Sequence, residues 1–295
     1  MTKRCSHHHQ PPPAAARPAA GRERLLIDDL RQSMDHPSAV ITDIAAGDHF
    51  IGIRAEENGM DCVGLASTLG ALPSRDEGQM ATAMVGRTVG EAAGCLLSGS
   101  AFSISVGAAA LNAGFRAPLD PPDLEASKIM AEKGKRGETV LVGEFPFTDW
   151  LRRQVKTLHL FELQAVAGRT PPDQWDAILA RCHVLGLTGT TLLTRAMATY
   201  MAKAPQAYTI VIGPTTPLSP VLFTHGADVL AGCQVVSPDA VFDGIRRGLP
   251  FREFNKLGVR FVAWSRGAAA ESVRRIVTSE ERETDCPGLS ADPSF

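Results

Sequence analysis

Six near-continuous apolar runs dominate the second half of the chain: TVLVG (139–143), TLHLFEL (157–163), HVLGLTG (183–189), YTIVIGP (208–214), ADVLAG (227–232) and VRFVAW (259–264). A strand that is apolar at almost every position, rather than at alternate ones, is buried on both faces. Helical patterns at about 147–156, 173–181, 190–203 and 237–247 separate the runs. Strands alternating with helices predict a parallel sheet between two helical layers, a Rossmann-like α/β unit. It spans 138–266, with a C-terminal helix and polar tail over 267–295.

The first half obeys a different pattern. Residues 23–36 place Leu25, Leu26 and Leu30 at helical spacing. Three short strands follow, AVITDIAAG (39–47), HFIGIRAE (49–56) and DCVGLAS (61–67), broken at Gly47-Asp48 and Glu57-Asn58-Gly59 by hairpin-turn residues. Thr88 with Glu91 three positions on reads as a capping box for a helix reaching Leu97, and small residues over 100–114 predict a second, closely packed helix. Helix, antiparallel strands and helices make an α+β unit of residues 23–115. The Pro- and charge-rich stretch 116–137 reads as a linker, and the Pro/Ala-rich residues 1–22 as a disordered arm. Cys5, His7, His8 and His9 on that arm form a weak transition-metal candidate; a solvated tail is the plainer reading.

Composition narrows the partner. Lys+Arg 30 against Asp+Glu 32 gives a net charge of −2, too small a field to hold nucleic acid or an anionic membrane. Aromatic residues are 6% of the chain, which argues against a base-stacking platform or a carbohydrate cleft. No apolar run approaches the ~20 residues of a membrane span, and the N-terminus lacks the apolar centre of a signal peptide. No cysteine lies within four residues of another, so CxxC metal and redox motifs are absent; Cys62, Cys95, Cys182 and Cys233 sit in apolar surroundings and read as buried thiols. The expectation is a cytoplasmic protein with reduced thiols and a small-molecule partner, without nucleic acid or membrane, with a homo-oligomer left open.

In a parallel sheet the ligand site lies at the carboxyl ends of the strands. There the chain carries Gly143-Glu144-Phe145-Pro146-Phe147, Phe161-Glu162, Thr188-Gly189-Thr190-Thr191 and the stretch from Gly213 through Pro214, Thr215 and Thr216 to Pro220. The first loop is not GxGxxG, and Pro146 removes an amide a pyrophosphate would need, so NAD and FAD are not expected; a P-loop is also missing. Thr188–Thr191 is read either as a helix N-terminus that holds an anion or as a plain N-cap. Glu144 and Glu162 could form an acid/base pair, ligate a metal, or be satisfied by neighbouring amides. His49, His159, His183 and His225 stand alone, without metal-ligand spacing.

The succession VLVGEFPF (140–147), HLFEL (159–163), GLTGTTLL (186–193), VIGPTTPLSPVLF (211–223) and GADVLAGCQVVSPDAV (226–241) resembles the DUF364 family, named for heavy-metal chelation. GLASTLG (64–70), GRTVGEAAGCLLSGS (86–100) and VGAAALNAG (106–114) resemble the DUF4213 segment that precedes it. The resemblance, over about 23–264, implies an enolase-N-terminal-like domain followed by a Rossmann-like one, with a site in the cleft between them. Carried over by motif, that cleft holds Asn112, Phe145, Pro146, Glu162, Thr188, Gly189, Thr190, Thr191, Pro214, Thr215 and Thr216. The chain departs from the family pattern at Glu144, at Thr215 in the Gly-Pro-Ser-Thr-Pro stretch, and at Thr194, where an Asn is usual.

The function that follows is binding or processing of a small anionic, metal-chelating molecule in metal homeostasis or metallocofactor assembly. Any transition metal would be held through the chelating ligand. Two alternatives stay open: a metal-independent lyase or transferase acting on an organic acid with Glu144 or Glu162 as base, and a ligand-binding module without chemistry.

Overall fold

The computed structural model describes residues 20–70, 75–116, 125–162 and 169–267. The first unit opens with α1 (Ala20–Gln32), followed by β1 (Val40–Ala46), β2 (Phe50–Glu57) and β3 (Met60–Ser67). These strands form an antiparallel sheet in the order β1-β2-β3, which leaves β3 at an edge. Asn58 and Gly59 turn β2 into β3 with φ of 54° and 78°, the left-handed pair a tight hairpin requires. Next come α2 (Arg75–Thr82), α3 (Val89–Ala93) and α4 (Ala101–Ala113). The capping box forms as read: Glu91 N–H donates to Thr88 Oγ1 at 3.2 Å and Thr88 N–H to Glu91 Oε2 at 3.1 Å. The helix passes into a 3-10 turn over Gly94–Leu97.

α4 lies on one face of this sheet at a separation only small residues allow. A Cβ on Gly64 would sit 2.1 Å from Ala109 O, so glycine in β3 and the alanines of α4 set the helix-to-sheet distance.

The second unit comprises α5 (Ala126–Gly134), β4 (Glu138–Val142), α6 (Thr148–Gln154), β5 (Thr157–Phe161), α7 (Trp175–Leu179), β6 (Val184–Thr188), α8 (Met197–Lys203), β7 (Tyr208–Ile212), α9 (Val221–Thr224), β8 (Val229–Val235), α10 (Pro238–Arg246), α11 (Phe254–Leu257) and β9 (Val259–Ser265). Six strands lie in the order β5-β4-β6-β7-β8-β9. The first five are parallel; β9 runs antiparallel to β8. The result is a mixed α/β fold with a small antiparallel sheet and a larger, mostly parallel one. Among the described residues no helix is long and apolar enough to cross a membrane.

Three expectations need correction. The sheet is not all-parallel, because α10 does not return across it. Instead α10 packs Phe242 and Ile245 against Phe50 and Leu65 of the small sheet, and the chain re-enters from the opposite direction. Burying two such side chains is worth about 3–6 kcal/mol, enough to decide where a helix goes. Residues 126–134, read within the linker, form α5; Met130 is fully buried there against the large sheet, with Leu141, Val184 and Ile210. Residues 117–124 lie outside the described residues. Finally, Thr188–Thr191 does not open a long helix: Gly189–Thr191 is one 3-10 turn, Arg195 takes φ 53°, and α8 starts at Met197. The helix-dipole argument for an anion at these threonines therefore does not hold.

The two sheets share a core in which Ile51, Ile53 and Leu111 join Leu187 and Leu230. α1 fastens the same junction. Glu23, 1% exposed, accepts from Thr199 N–H (2.8 Å), Thr199 Oγ1 (2.9 Å) and Ala198 N–H (3.2 Å), capping α8 from the other unit. Asp29 pairs with His225 Nε2 at 2.8 Å, which gives that histidine a structural partner.

Candidate functional site

A cavity of about 620 Å³ opens where the edge of β3, the end of α4, the β7–α9 loop and the second half of β8 converge. Its closed end is built from side chains that stand in for a strand. Asn112 Nδ2 donates to Leu65 O (2.8 Å) and Thr215 O (3.3 Å), and Ser67 N–H donates to Thr215 Oγ1 (3.0 Å). Leu65 and Ser67 thus point their backbone groups outward from the sheet. By antiparallel alternation so do Asp61 and Val63, which line the cavity.

The opposite wall repeats this arrangement. Gly213 N–H donates to Ala231 O and Val236 N–H to Gly258 O, each at 2.8 Å, so odd-numbered residues of β8 face β7 and even-numbered ones face β9. β7 ends at Ile212, and its pairing with β8 stops at Ala231. The N–H and C=O of Cys233 and Val235 therefore face the cavity, with no strand beside them.

Arg54 serves two carboxylates near the cavity, Asp61 and Asp239. Asp61 is held by Arg54 at 2.7 and 2.9 Å, and this hydrogen bonding lowers its carboxyl pKa and raises that of the guanidinium. Glu57 meets His36 Nδ1 at 2.6 Å. Arg116 and Arg260 also line the cavity. Among the described residues neither has an ion pair with a carboxylate; Arg260 donates to the neutral Gln234 Oε1 at 2.5 Å. These two guanidiniums are what the rim offers an anion, with the Asp35 carboxylate close by, accepting from Arg116 N–H at 2.8 Å.

Two buried oxygens of lining residues, Asn112 Oδ1 and Thr216 Oγ1, have no hydrogen-bond partner among the described residues, and Thr216 is 3% exposed. Such groups cost about 1–3 kcal/mol each while no donor reaches them. Cys62 and Cys233 line the cavity too. Burial pushes the Cys62 thiol up and the Cys233 thiol up to about 12, so both are protonated at neutral pH. Among the described residues no three His, Cys, Asp or Glu side chains are grouped to hold a metal ion. Cys5 and His7–His9 lie outside the described residues.

Of the site residues read from sequence, Asn112, Pro214 and Thr216 line this cavity, and Thr215 sits behind it, 1% exposed, tied to β3. Gly189 supports the loop from below: a Cβ there would lie 2.5 Å from Thr216 N. Thr188 and Thr190 share a hydroxyl contact of 3.0 Å, while buried Thr191 donates to Thr188 O at 2.7 Å; none of the three lines the cavity.

The remaining residues stand elsewhere on the carboxyl edge of the large sheet. Exposed Glu144 pairs with Arg169 at 2.9 Å, and Phe145 stacks on Phe147 at 5.1 Å beside the exposed Pro146. Glu162 follows β5; burial and then its charge raise the Tyr200 phenol to about 12. The structure therefore does not bring Glu144 and Glu162 into one cavity with Asn112. His36, Cys62, Arg116, Cys233 and Arg260 are the residues sequence reasoning missed. Their shared address depends on β3 being an edge, which strand patterns alone do not disclose.

Sequence profiles of two families match the chain: DUF364, described as "Putative heavy-metal chelation", over residues 125–277, and DUF4213, with the same description, over 27–115. A DUF364-family protein of unknown function from Desulfitobacterium hafniense DCB-2 has a similar structure, with a TM-score of 0.72 and 20% identity, over 84% of this chain and 100% of its own. Another, from Pyrococcus horikoshii, gives 0.66 and 15% over 82% of this chain and 97% of its own. None of the curated proteins matches the sequence.

Proposed function

The chain belongs to the DUF364 family, and from that premise we propose that the cavity between β3 and β8 receives a small anionic, metal-chelating molecule. The observation that carries this reading is that Arg116 and Arg260, whose guanidiniums have no carboxylate ion pair among the described residues, line one cavity with the unsatisfied oxygens of Asn112 and Thr216. The guanidiniums take the carboxylates, while Asn112 and Thr216 offer acceptors to a ligand N–H or O–H. Pro214 shapes the wall, and Thr215 with Thr188–Thr191 holds the loop in place. We read the metal as staying on the ligand, since among the described residues no three His, Cys, Asp or Glu side chains are grouped to hold one. We read the two units as enolase-N-terminal-like (23–115) and Rossmann-like (138–266), and the role as metal homeostasis or metallocofactor assembly in the cytoplasm.

Calorimetric titration of the full chain, and of a chain lacking residues 1–19, tests the reading with citrate, nickel–citrate and nickel chloride. Citrate is expected to bind both forms with or without nickel, and the double substitution Arg116→Gln/Arg260→Gln to weaken it at least tenfold. Free nickel taken up by the truncated chain, with no response to citrate, overturns the proposal.

A further inference from the structure

The backbone around the cavity says more about the ligand than its charge does. Two half-finished sheets face one another there: β3 offers the N–H and C=O groups of Asp61 and Val63, and β8 those of Cys233 and Val235. At the closed end, the protein supplies replacements for strand pairing, Asn112 Nδ2 on Leu65 O and Thr215 Oγ1 on Ser67 N–H. Beyond that point the replacements stop and the cavity begins. A compact polycarboxylate leaves these rows of alternating donors and acceptors to water. A chain of amides matches them, because strand edges pair with N–H and C=O groups that alternate at the same repeat.

We propose that the ligand is an extended, amide-linked molecule ending in a free carboxylate, a short peptide or peptide-like chelator that lies as a strand between β3 and β8. This rests on the anionic-ligand reading above and specifies its chemical class. Pairing with Asp61 and Val63 requires a segment of about three to four residues at ~3.3 Å each. Its terminal carboxylate meets Arg116 or Arg260 at the rim, whose guanidiniums have no carboxylate ion pair among the described residues. Bound in this way, it joins the two sheets into one continuous ladder from β1 to β9.

The test uses the full chain and three probe sets: a library of acetylated tetrapeptides with free C-terminal carboxylates, the same library as C-terminal amides, and the same library N-methylated on the backbone. Citrate is the non-peptidic anion. The peptide acids are expected to raise the melting temperature and to slow amide hydrogen exchange at least tenfold over segments 60–65 and 232–236. The C-terminal amides bind at least tenfold more weakly, and the N-methylated peptides not at all. Val63→Pro removes one outward N–H without touching the β2–β3 ladder, and it should weaken peptide binding at least tenfold. If that variant does not fold, the N-methylated library makes the same test from the ligand side. Citrate binding without peptide binding overturns the strand-addition proposal and leaves the anionic reading standing. Failure of both probes overturns both.

Discussion

Asn112 is the side chain on which the closed end of the cavity depends, and two substitutions there separate its roles. In Asn112→Ala, Leu65 O and Thr215 O lose their donor at 2.8 and 3.3 Å. Each carbonyl left short costs about 1–3 kcal/mol, toward the lower end for Leu65, which lines the cavity and can recruit water. The same substitution removes the unpartnered Oδ1 and recovers a comparable amount, so the net loss is about 1–2 kcal/mol. Asn112→Asp keeps the shape but turns an oxygen toward those two carbonyls, an uncompensated charge in a largely buried setting. The loss is then about 3–5 kcal/mol at neutral pH. Burial raises the folded pKa of an acid above its unfolded value of about 3.9, so this penalty is present above that pH and fades as pH falls toward it, when the protonated carboxyl can donate to Leu65 O. Urea unfolding at pH 7.5 and pH 4.5 reads both effects. If Asn112→Asp is no worse than Asn112→Ala at pH 7.5, the amide does not bridge the two sheets and the account of the cavity's closed end is wrong.

Other outcomes follow from groups described above. Glu23→Ala strips three hydrogen bonds from the start of α8 and should lower stability by about 3 kcal/mol in urea unfolding, with Glu23→Gln losing roughly half as much; a change below about 1 kcal/mol would mean α1 does not cap α8. Burial raises the Cys182 thiol to about 11 and the Cys233 thiol to about 12, so at pH 8 the folded chain should alkylate at these positions far more slowly than the denatured one. Because unfolded thiols ionise near 8.5, their contribution to stability is complete below that pH and declines as pH rises toward 11–12, a trend that unfolding measured from pH 8 to pH 11 would follow.

The elements were legible because burial leaves a strong mark on composition. Runs such as TVLVG and YTIVIGP are apolar throughout because β4 and β7 are covered on both faces, and the Asn58-Gly59 turn is fixed by local chemistry. What could not be read depended on which surfaces meet. The apolar side of α10 looks the same whether it covers the large sheet or the small one, so the reversal of β9 left no trace in the pattern. The long helix expected after Thr190 is interrupted by the left-handed Arg195, whose guanidinium instead bonds Leu96 O and Ser98 O in the other unit, a purely tertiary reason. The site divided the same way. Asn112, Pro214 and Thr216 could be found from motif and loop composition, while Cys62 on β3 and Arg260 on β9 share a cavity only through sheet placement.

The seating of α10 on the small sheet constrains how such a chain can be inherited. A gene break between the two matched segments would part Phe242 and Ile245 from Phe50 and Leu65, and each fragment would carry an uncovered aromatic face into solution. Recombination that swaps either half for an unrelated module meets the same obstacle, because the acceptor would have to present a groove for a foreign helix. The halves are therefore expected to be transmitted together and to diversify in concert. Insertions will be tolerated in surface loops well before they are tolerated at the seam.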